Sequence, residues 1–277
     1  MIIVNDLHKK FVRHDKPGMK NLGDLRRLLG LQKTAEQVVQ AVNGVSFTAN
    51  DGQITGLLGA NGAGKTTTLR MVAALLQPDT GNVIVDGVEV RAGVSSTQSY
   101  MGVLSDARGL YPRLTARENI NYYGLLHGLT QEMTAHRIEQ LADRLEMRHL
   151  LDRRTDGFSQ GERMKTALAR ALVHDPRNII LDEPTNGLDV VATRALREFL
   201  RWLRSPEGGA KCIIFSTHIM QEVERLCDDV VIVAQGRNVA RGTVQELMQQ
   251  ANQTNFEDAF VSLAFSEQQT QSLEDRS

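Results

Sequence analysis

A glycine-rich stretch in the first quarter of the chain constrains the fold more than any other feature. The sequence GANGAGKTT, residues 59–67, has the spacing G-x-x-x-x-G-K-T and follows the apolar run ITGLL. Glycines allow a tight turn that aims several backbone N–H groups at one point, and the helix that follows adds its positive N-terminal end. This order of strand, loop and helix predicts a phosphate-binding loop in an α/β fold.

The residue types of the loop predict separate contacts with a nucleoside triphosphate. Lys65 is expected to reach the β- and γ-phosphates, Thr66 to ligate Mg²⁺, and Thr67 to help hold the α-phosphate. A chance glycine turn imitates parts of this pattern, but here the strand, the spacing, the Lys-Thr pair and the helix all occur together. The candidate nucleotide-binding residues of the loop are Gly59, Asn61, Gly62, Gly64, Lys65, Thr66 and Thr67.

Two acids end a second apolar strand pattern, NIILDE, at residues 178–183. Open parallel sheets bind ligands beyond the carboxyl ends of their strands, so Asp182 and Glu183 are expected beside the phosphate loop. Asp182 is then placed to hold Mg²⁺ directly or through water, and Glu183 to accept a proton from the attacking water. The structural alternative is a pair of acids that solvate a strand end. His218, which follows the next strand pattern, is expected at the same edge near the γ-phosphate, although a lone histidine is usually a surface or core residue.

The segment FSQGE, residues 158–162, predicts the start of a helix. Ser159 and Glu162 have the spacing of a capping box for the helix pattern that follows. Gly161 in the first turn costs about 1 kcal/mol relative to alanine, and a bare backbone at a helix N-terminus is also where a phosphate approaches closely. A helix cap and an anion site are therefore compatible predictions.

The wider pattern predicts a mainly parallel sheet with two additions. Strand and helix patterns alternate after residue 158, which implies right-handed crossovers. Short strands and turns near the N-terminus predict an antiparallel β-subdomain, and residues of about 107–158, which are almost wholly helical in period, predict an inserted helical subdomain. The predicted domains are 1–242, with a basic insertion at 14–40, and a C-terminal helical tail at 243–277.

Composition limits the function classes. Lys and Arg number 32 against 33 Asp and Glu, a net charge of -1 that provides no global basic field for nucleic acid. No signal peptide or membrane-spanning run is recognised, so the chain is expected to be cytoplasmic. The two cysteines lie in apolar settings without a C-x-x-C spacing and are expected to be unpaired, buried small hydrophobes.

The basic insertion has two open interpretations. Between Lys9 and Lys33 there are eight Lys or Arg and two Asp, and four leucines at positions 22, 25, 28 and 29 fall on one helical face. One interpretation is a packed surface helix with a solvated basic face. The other is a contact with a membrane surface or with a membrane-embedded partner.

Together these motifs resemble the ATP-binding cassette (ABC) family over residues 1 to about 265. FSQGE resembles the family signature, the GLD that ends at Asp189 resembles the D-loop, and STH resembles the switch histidine. Phe11 falls where an aromatic side chain usually stacks on adenine. The resemblance implies a P-loop NTPase with a RecA-like core that binds ATP and Mg²⁺. It also implies a homodimer in which Ser159 and Gly161 of one copy contact the γ-phosphate bound by the other.

Within that family, the segments GLYPRLTARENI and NFEDAFVSL resemble the corresponding segments of exporter cassettes. Among exporter cassettes, the chain most resembles the sodium-export (NatA-like) group. The resemblance implies an ATPase subunit that works with a separate membrane permease at the inner face of the cell membrane. Two departures are Phe158 and Glu162, where the signature more often has Leu and Gln. A third is Asp106, at the usual position of a glutamine that contacts Mg²⁺ and the attacking water.

Asp106 is a candidate metal ligand with several open roles. An acceptor-only carboxylate replaces an amide beside a site rich in negative charge. It is expected to bind metal only through water, to pair with Arg108, or to stay outside the site until the dimer closes. A role in coupling is favoured over one in catalysis.

Two other function classes compete with an exporter subunit. A soluble ABC ATPase is one, and its cluster-assembly type survives because the chain has neither long coiled-coil insertions nor a second cassette. An unrelated P-loop GTPase or kinase is the other, but it would lack the signature segment. The permease, rather than this chain, is expected to select the transported substrate.

Overall fold

The computed structural model describes residues 1–13, 37–93, 99–105 and 109–274, whose strands form two sheets. The strands are β1 (Ile2–Arg13), β2 (Gln37–Ala49), β3 (Ile54–Leu58), β4 (Thr80–Val85), β5 (Val88–Glu89), β6 (Met101–Leu104), β7 (Asn178–Asp182), β8 (Cys212–Thr217), β9 (Asp229–Ala234) and β10 (Arg237–Gly242). The helices are α1 (Lys65–Val72), α2 (Ala116–Leu126), α3 (Gln131–Arg144), α4 (Gln160–Leu172), α5 (Val190–Arg204), α6 (Met220–Leu226), α7 (Val244–Gln250) and α8 (Phe256–Glu274). None of these helices combines the length and the apolar character needed to cross a membrane.

The main sheet has the strand order β10-β9-β3-β8-β7-β6, and its strands are parallel except for β10. Successive side chains of a strand point to opposite faces of the sheet. In the central strands β3 and β8 every residue is buried, so both faces of the sheet are covered there. Ile179 and Leu181 of β7 pack into one hydrophobic cluster, whereas Ile180 packs into another. The predicted mainly parallel sheet is confirmed.

The second sheet, with the order β2-β1-β4-β5, is antiparallel and confirms the predicted β-subdomain. Its buried residues, such as Val4 and Val45, share a cluster with Leu57 of β3 and Leu69 of α1. Helix α1 therefore packs in the apolar layer that joins the two sheets.

Helices α2 and α3 lie between β6 and α4, within the predicted helical insertion. Helix α2 begins with a capping box formed by Thr115 and Glu118. The buried Asn119 accepts a hydrogen bond from the Tyr111 N–H at 2.8 Å and donates one to the Tyr111 carbonyl at 3.1 Å. This amide fixes the chain that enters α2.

The C-terminal helices form an outer layer on the main sheet. Leu247 of α7 and Phe256 and Phe260 of α8 share a hydrophobic cluster with Val230 and Ile232 of β9. The predicted tail therefore packs on the core, while its boundary at residue 243 stays a prediction. The helix predicted in the basic insertion lies at residues that the structure does not describe. Of the insertion at 14–40, only residues 37–40 are described, and they belong to β2.

Both cysteines are free, as the sequence predicts. Cys212 is fully buried in β8, and Cys227 is partly buried after α6. Burial raises the pKa of the Cys212 thiol to about 12, so it behaves as a small apolar side chain.

A stacked histidine pair joins the helical insertion to the core. The rings of His127, at the end of α2, and His174, after α4, are 3.6 Å apart and nearly parallel. His174 Nε2 lies 3.2 Å from the Met101 carbonyl, which accepts a hydrogen bond when this nitrogen carries the proton. Its buried Nδ1 has no hydrogen-bond partner among the described residues. Burial, with the neighbouring His127, lowers the pKa of His174 to about 4, against the weaker opposite effects of the hydrogen bond to Met101 and of Asp175.

We expect this pair to make stability fall in mild acid. Below the ordinary histidine pKa of about 6.5 the unfolded chain binds a proton that native His174 does not bind until about pH 4. The free energy of unfolding should therefore drop by about 2 kcal/mol between pH 7.5 and pH 5. Urea unfolding of the wild type and of His174→Asn at both pH values measures this loss. The same pH dependence in both proteins would show that His174 is not its source.

Candidate functional site

The glycine-rich loop joins the end of β3 to the start of α1 and is closely surrounded by backbone. A Cβ atom on Gly59 would lie 2.3 Å from the Val233 carbonyl oxygen. At Gly64 φ is +104°, and a Cβ there would lie 2.4 Å from the Ala41 carbonyl oxygen. Only glycine fits at both positions, because the neighbouring atoms are backbone that cannot rotate away.

Lys65 is the first residue of α1, directly after the turn of this loop, and is only 5% exposed. Its ammonium donates hydrogen bonds to the carbonyl of Gly59 at 2.7 Å and to that of Ala60 at 3.2 Å. Its Nζ is also 3.6 Å from Glu183 Oε1. Burial lowers the pKa of Lys65, while the charges of Glu183 and Asp182 oppose that shift.

A cavity of about 170 Å³ opens in front of the loop. Most of the loop residues predicted to bind nucleotide line it, together with the predicted general base. The lining residues are Ala41, Asn61, Gly62, Gly64, Lys65, Thr66, Thr67 and Glu183. The structure therefore brings these predicted residues to one place.

The acid pair is oriented by a serine on the neighbouring strand. In the parallel pairing of β7 with β8, Asp182 lies opposite Ser216. The Ser216 hydroxyl donates to Asp182 Oδ1 at 2.6 Å and accepts from the Glu183 N–H at 3.0 Å. Glu183 has φ of +47°, a left-handed conformation that costs energy in a residue with a side chain.

His218 reaches the same edge, as predicted from its position after β8. Its Nδ1 lies 3.3 Å from Glu183 Oε2, but the angles do not make this contact a hydrogen bond. Glu183 therefore lies between Lys65, on the side of Oε1, and His218, on the side of Oε2.

The oxygen atoms at this edge suit a magnesium ion. Thr66 and Asp182 both line a second cavity of about 610 Å³. Hydroxyl and carboxylate oxygens are hard donors, and Mg²⁺ usually takes only one or two protein ligands beside phosphate and water. Within the described ranges no group of three or more His, Cys, Asp or Glu side chains could hold a metal by itself. The donor set fits an ion that arrives with a nucleotide.

The segment FSQGE begins helix α4 with the predicted capping box. The Ser159 hydroxyl accepts from the Glu162 N–H, and the Glu162 carboxylate accepts from the Ser159 N–H at 2.7 Å. These hydrogen bonds lower the pKa of Glu162. Phe158 and Gln160 line the 610 Å³ cavity, whereas Ser159 and Gly161 are not among the lining residues of either cavity.

The same segment is bonded to the GLD loop. Gln160 donates a hydrogen bond from Nε2 to the Asn186 carbonyl at 2.7 Å. Asp189 caps helix α5 by accepting from the Ala192 N–H at 2.7 Å. Gly161 packs near this helix start, since a Cβ on it would lie 3.5 Å from Ala192 Cβ.

Comparisons with known proteins give the same family at every level. A family model described as ABC transporter matches residues 42–186. The ABC transporter ATP-binding protein NatA of Bacillus subtilis is 43% identical over 228 residues, which are 82% of this chain and 92% of that protein. A Nod factor export ATP-binding protein I of Ralstonia nicotianae is 35% identical over 240 residues, 86% of this chain and 73% of that protein.

The chain belongs to the ABC transporter family. A solved structure, the ATP-binding subunit of an ABC transporter, has a TM-score of 0.76 at 26% identity and covers 95% of this chain and 99% of that one. The dimeric structure of the cassette MJ0796 shares the fold, with a TM-score of 0.73 at 20% identity over 88% of this chain and 98% of that one. The protein is therefore an ABC ATPase with a cassette fold, as the motifs predicted.

One predicted residue of the cassette, Phe11, is not among the residues that line these cavities. Phe11 is 42% exposed on β1 and pairs with Val39, two residues before Ala41 on β2. Lys9 Nζ lies 5.9 Å from the centre of its ring. Asp106, with Arg108, lies outside the described residues, so its role stays a prediction.

Sequence reasoning missed two residues that orient the cassette's predicted site. The sequence places Ser216 in the STH motif and Gln160 in the signature segment, but indicates no contact for either. Both act across elements that are distant in the sequence, Ser216 on Asp182 and Gln160 on Asn186. A signal for Ser216 exists, because a small hydroxyl residue at the carboxyl end of β8 is at the same sheet edge as the acids.

Proposed function

We propose that this ABC ATPase is the motor subunit of an exporter and that two copies enclose two ATP molecules to drive export through a separate membrane permease. We further propose Na⁺ as the exported ion and the inner face of the cell membrane as the location. The observation that carries the proposal is the convergence of Lys65, Glu183 and His218 at one sheet edge, in front of the glycine-rich loop. The identity to NatA and to a Nod factor export protein supports export.

Lys65 is proposed to exchange its hydrogen bonds to the loop carbonyls for bonds to the β- and γ-phosphates. Its buried ammonium already lies among the loop residues that line the 170 Å³ cavity. Thr66 and Asp182 would hold Mg²⁺, which would supply charge stabilisation to the transferred phosphoryl group. Phe11 is proposed to stack on the adenine from the edge of the β-subdomain.

Glu183 is proposed as the general base. One of its oxygens faces Lys65 and the other faces His218, so a water beside the γ-phosphate would meet a carboxylate held from both sides. Ser216 positions Asp182 and Glu183, because its hydroxyl donates to the Asp182 carboxylate and accepts from the Glu183 N–H. His218 is proposed to contact the γ-phosphate.

A second copy is proposed to complete each site. Ser159 is exposed on the surface and Gly161 partly so, at the start of α4. Both lie where backbone N–H groups of a helix N-terminus favour an anion. Ser159, Gly161 and Asp189 of one copy would then face the nucleotide on the other. The dimeric form of the MJ0796 cassette shows that this fold forms dimers in another protein.

The helical insertion is proposed to contact the permease. An aromatic and aliphatic patch is exposed there: Tyr111 and Tyr122 meet edge to face at 5.6 Å, and Leu126 is 63% exposed. A cluster of exposed apolar side chains often marks an interaction site. A partner in the membrane would explain a patch that water solvates poorly.

The experiment that tests the proposal measures ATP hydrolysis and ion movement separately. The purified chain should hydrolyse ATP at a rate per molecule that rises with protein concentration, and Lys65→Ala should lower the rate at least about 100-fold. Inside-out vesicles that contain the chain and its permease should accumulate Na⁺ when ATP is added, with K⁺ as the control ion. ATPase activity without ion uptake would refute Na⁺ export, and no ATP hydrolysis at any protein concentration would refute the motor role.

A further inference from the structure

Against the glycine-rich loop lies a further small space of about 160 Å³. Its walls come from three elements. The loop contributes Ala60 to Ala63, the end of β9 contributes Val233 and Ala234 with the following Gln235, and helix α8 contributes Phe260, Ala264 and Phe265. We call this space the rear cavity.

The rear cavity and the 170 Å³ cavity share part of the loop as a wall. Asn61 and Gly62 line both spaces. Because these two exposed residues belong to both walls, their position depends on what packs against each. A glycine-rich segment has little side-chain packing of its own to resist displacement.

Helix α8 is anchored in the core where it lines the rear cavity. Phe260 is 5% exposed and packs in the cluster that contains Leu58, the residue immediately before the loop. The ring of Phe265 meets that of Phe260 edge to face, with the centres 6.3 Å apart. Phe265 remains 36% exposed, so it forms the outer and more adjustable wall of the rear cavity.

Backbone hydrogen bonds join the residues beside the rear cavity to the loop. The Gly236 N–H donates to the Ala63 carbonyl at 2.9 Å, and the Asn43 N–H donates to the Gly236 carbonyl at 2.7 Å. The first of these bonds holds the loop at Ala63, whereas Asn61 and Gly62, just before it, line both cavities. These two residues are thus the part of the loop that α8 can influence.

We propose that Phe260 and Phe265 of α8 are positioning residues that support the Asn61–Gly62 segment from behind and thereby set the affinity for ATP. This inference rests on the proposed contact between the loop and the phosphates. It goes beyond that contact, because α8 lines no part of the 170 Å³ cavity and would still determine how tightly the nucleotide binds. A change that loosens α8 should weaken binding, and one that fills the rear cavity should strengthen it.

The test compares variants on one helix by direct ATP binding, measured by calorimetry on the whole chain without permease. Phe265→Ala should raise the dissociation constant and the KM about three- to tenfold, with kcat within twofold, since an edge-to-face pair and its packing are lost. Phe265→Leu should restore binding to within about twofold, because an apolar side chain of similar reach remains. Val261→Ala is the matched control, since Val261 is 50% exposed on the same helix and does not line the rear cavity.

A variant with the opposite effect keeps the test independent of folding defects. Ala264→Leu adds apolar volume to the rear cavity and should lower the dissociation constant for ATP. Equal ATP affinity in Phe265→Ala and Val261→Ala would overturn the proposal, and so would a loss of kcat at unchanged affinity. If the wild-type chain itself bound no ATP, the proposed role of the loop would fail instead, and that result is visible before any variant is made.

Discussion

Replacing Glu183 by glutamine is expected to lower ATP turnover by about 100-fold or more while ATP still binds. The amide has nearly the same shape as the carboxylate but cannot accept a proton from water. ATP-bound chains should then accumulate as a dimer, because hydrolysis no longer separates the two copies. Phosphate release and size-exclusion chromatography in the presence of ATP measure the two effects on the same sample.

The geometry explains why one carboxylate should matter this much. Its oxygens lie 3.6 Å from Lys65 Nζ and 3.3 Å from His218 Nδ1, so it is placed between a buried cation and a second polar group. The backbone holds it there in a left-handed conformation, with φ of +47°. Strain of this kind persists only where surrounding contacts enforce it, and it concentrates at functional sites.

Glu224→Gln provides a matched control for the change of charge. Glu224 is exposed on α6, and the same loss of one negative charge there should leave turnover unchanged. Turnover in Glu183→Gln within a few-fold of that in Glu224→Gln would remove Glu183 as the general base. The first candidate to examine would then be His218, which shares the edge.

The place where the candidate site residues come together could be predicted from the sequence, because two simple rules apply. A glycine-rich turn between a strand and a helix defines the phosphate loop, and the carboxyl ends of parallel strands meet at one edge. Lys65, Glu183 and His218 were therefore predicted to meet, although they are far apart in the chain. Capping by Ser159 and Glu162 is also local, since it depends on a spacing of three residues.

Other features depend on contacts that no local pattern encodes. The bond from Ser216 to Asp182 depends on the register of β8 against β7, and residues 33 or more apart must align for it to form. The left-handed backbone of Glu183 results from its surroundings, because the residue type itself disfavours that conformation. The rear cavity needs α8, the last helix of the described chain, to return to a loop near residue 60. Packing of this kind is a tertiary property, so periodicity alone predicted only a polar C-terminal tail.

Substituting alanine for Gly64 should affect both stability and ATP binding. At φ of +104° a Cβ atom is strained, and here it would also lie 2.4 Å from the Ala41 carbonyl oxygen. Strain and overpacking together should lower the free energy of unfolding by about 3 kcal/mol. Relieving the clash requires the start of α1 to move away from β2, which displaces Lys65 and should weaken ATP binding at least about tenfold.

Two further glycines separate these effects, because both have positive φ but open space around the missing side chain. Gly87, in the turn between β4 and β5, has φ of +83°, and no atom of the described residues lies within 4 Å of an added Cβ. Gly87→Ala should cost about 1 kcal/mol of stability and leave ATP affinity unchanged. Gly62 has φ of +82° and similar space, but that space belongs to the cavities on either side of the loop. Gly62→Ala should therefore have a similar stability cost and a distinct loss of ATP affinity.

Urea unfolding and calorimetric ATP binding of the three variants distinguish a steric role from a merely conformational one. If Gly64→Ala matched Gly87→Ala in both measurements, the close approach of the Ala41 carbonyl would contribute nothing to the free energy of unfolding or of ATP binding. If Gly62→Ala bound ATP as tightly as the wild type, the phosphates would not approach that part of the loop. The expected order, with Gly64 affecting both quantities and Gly87 only stability, follows because the backbone of β2 lies directly against the point where the loop becomes a helix.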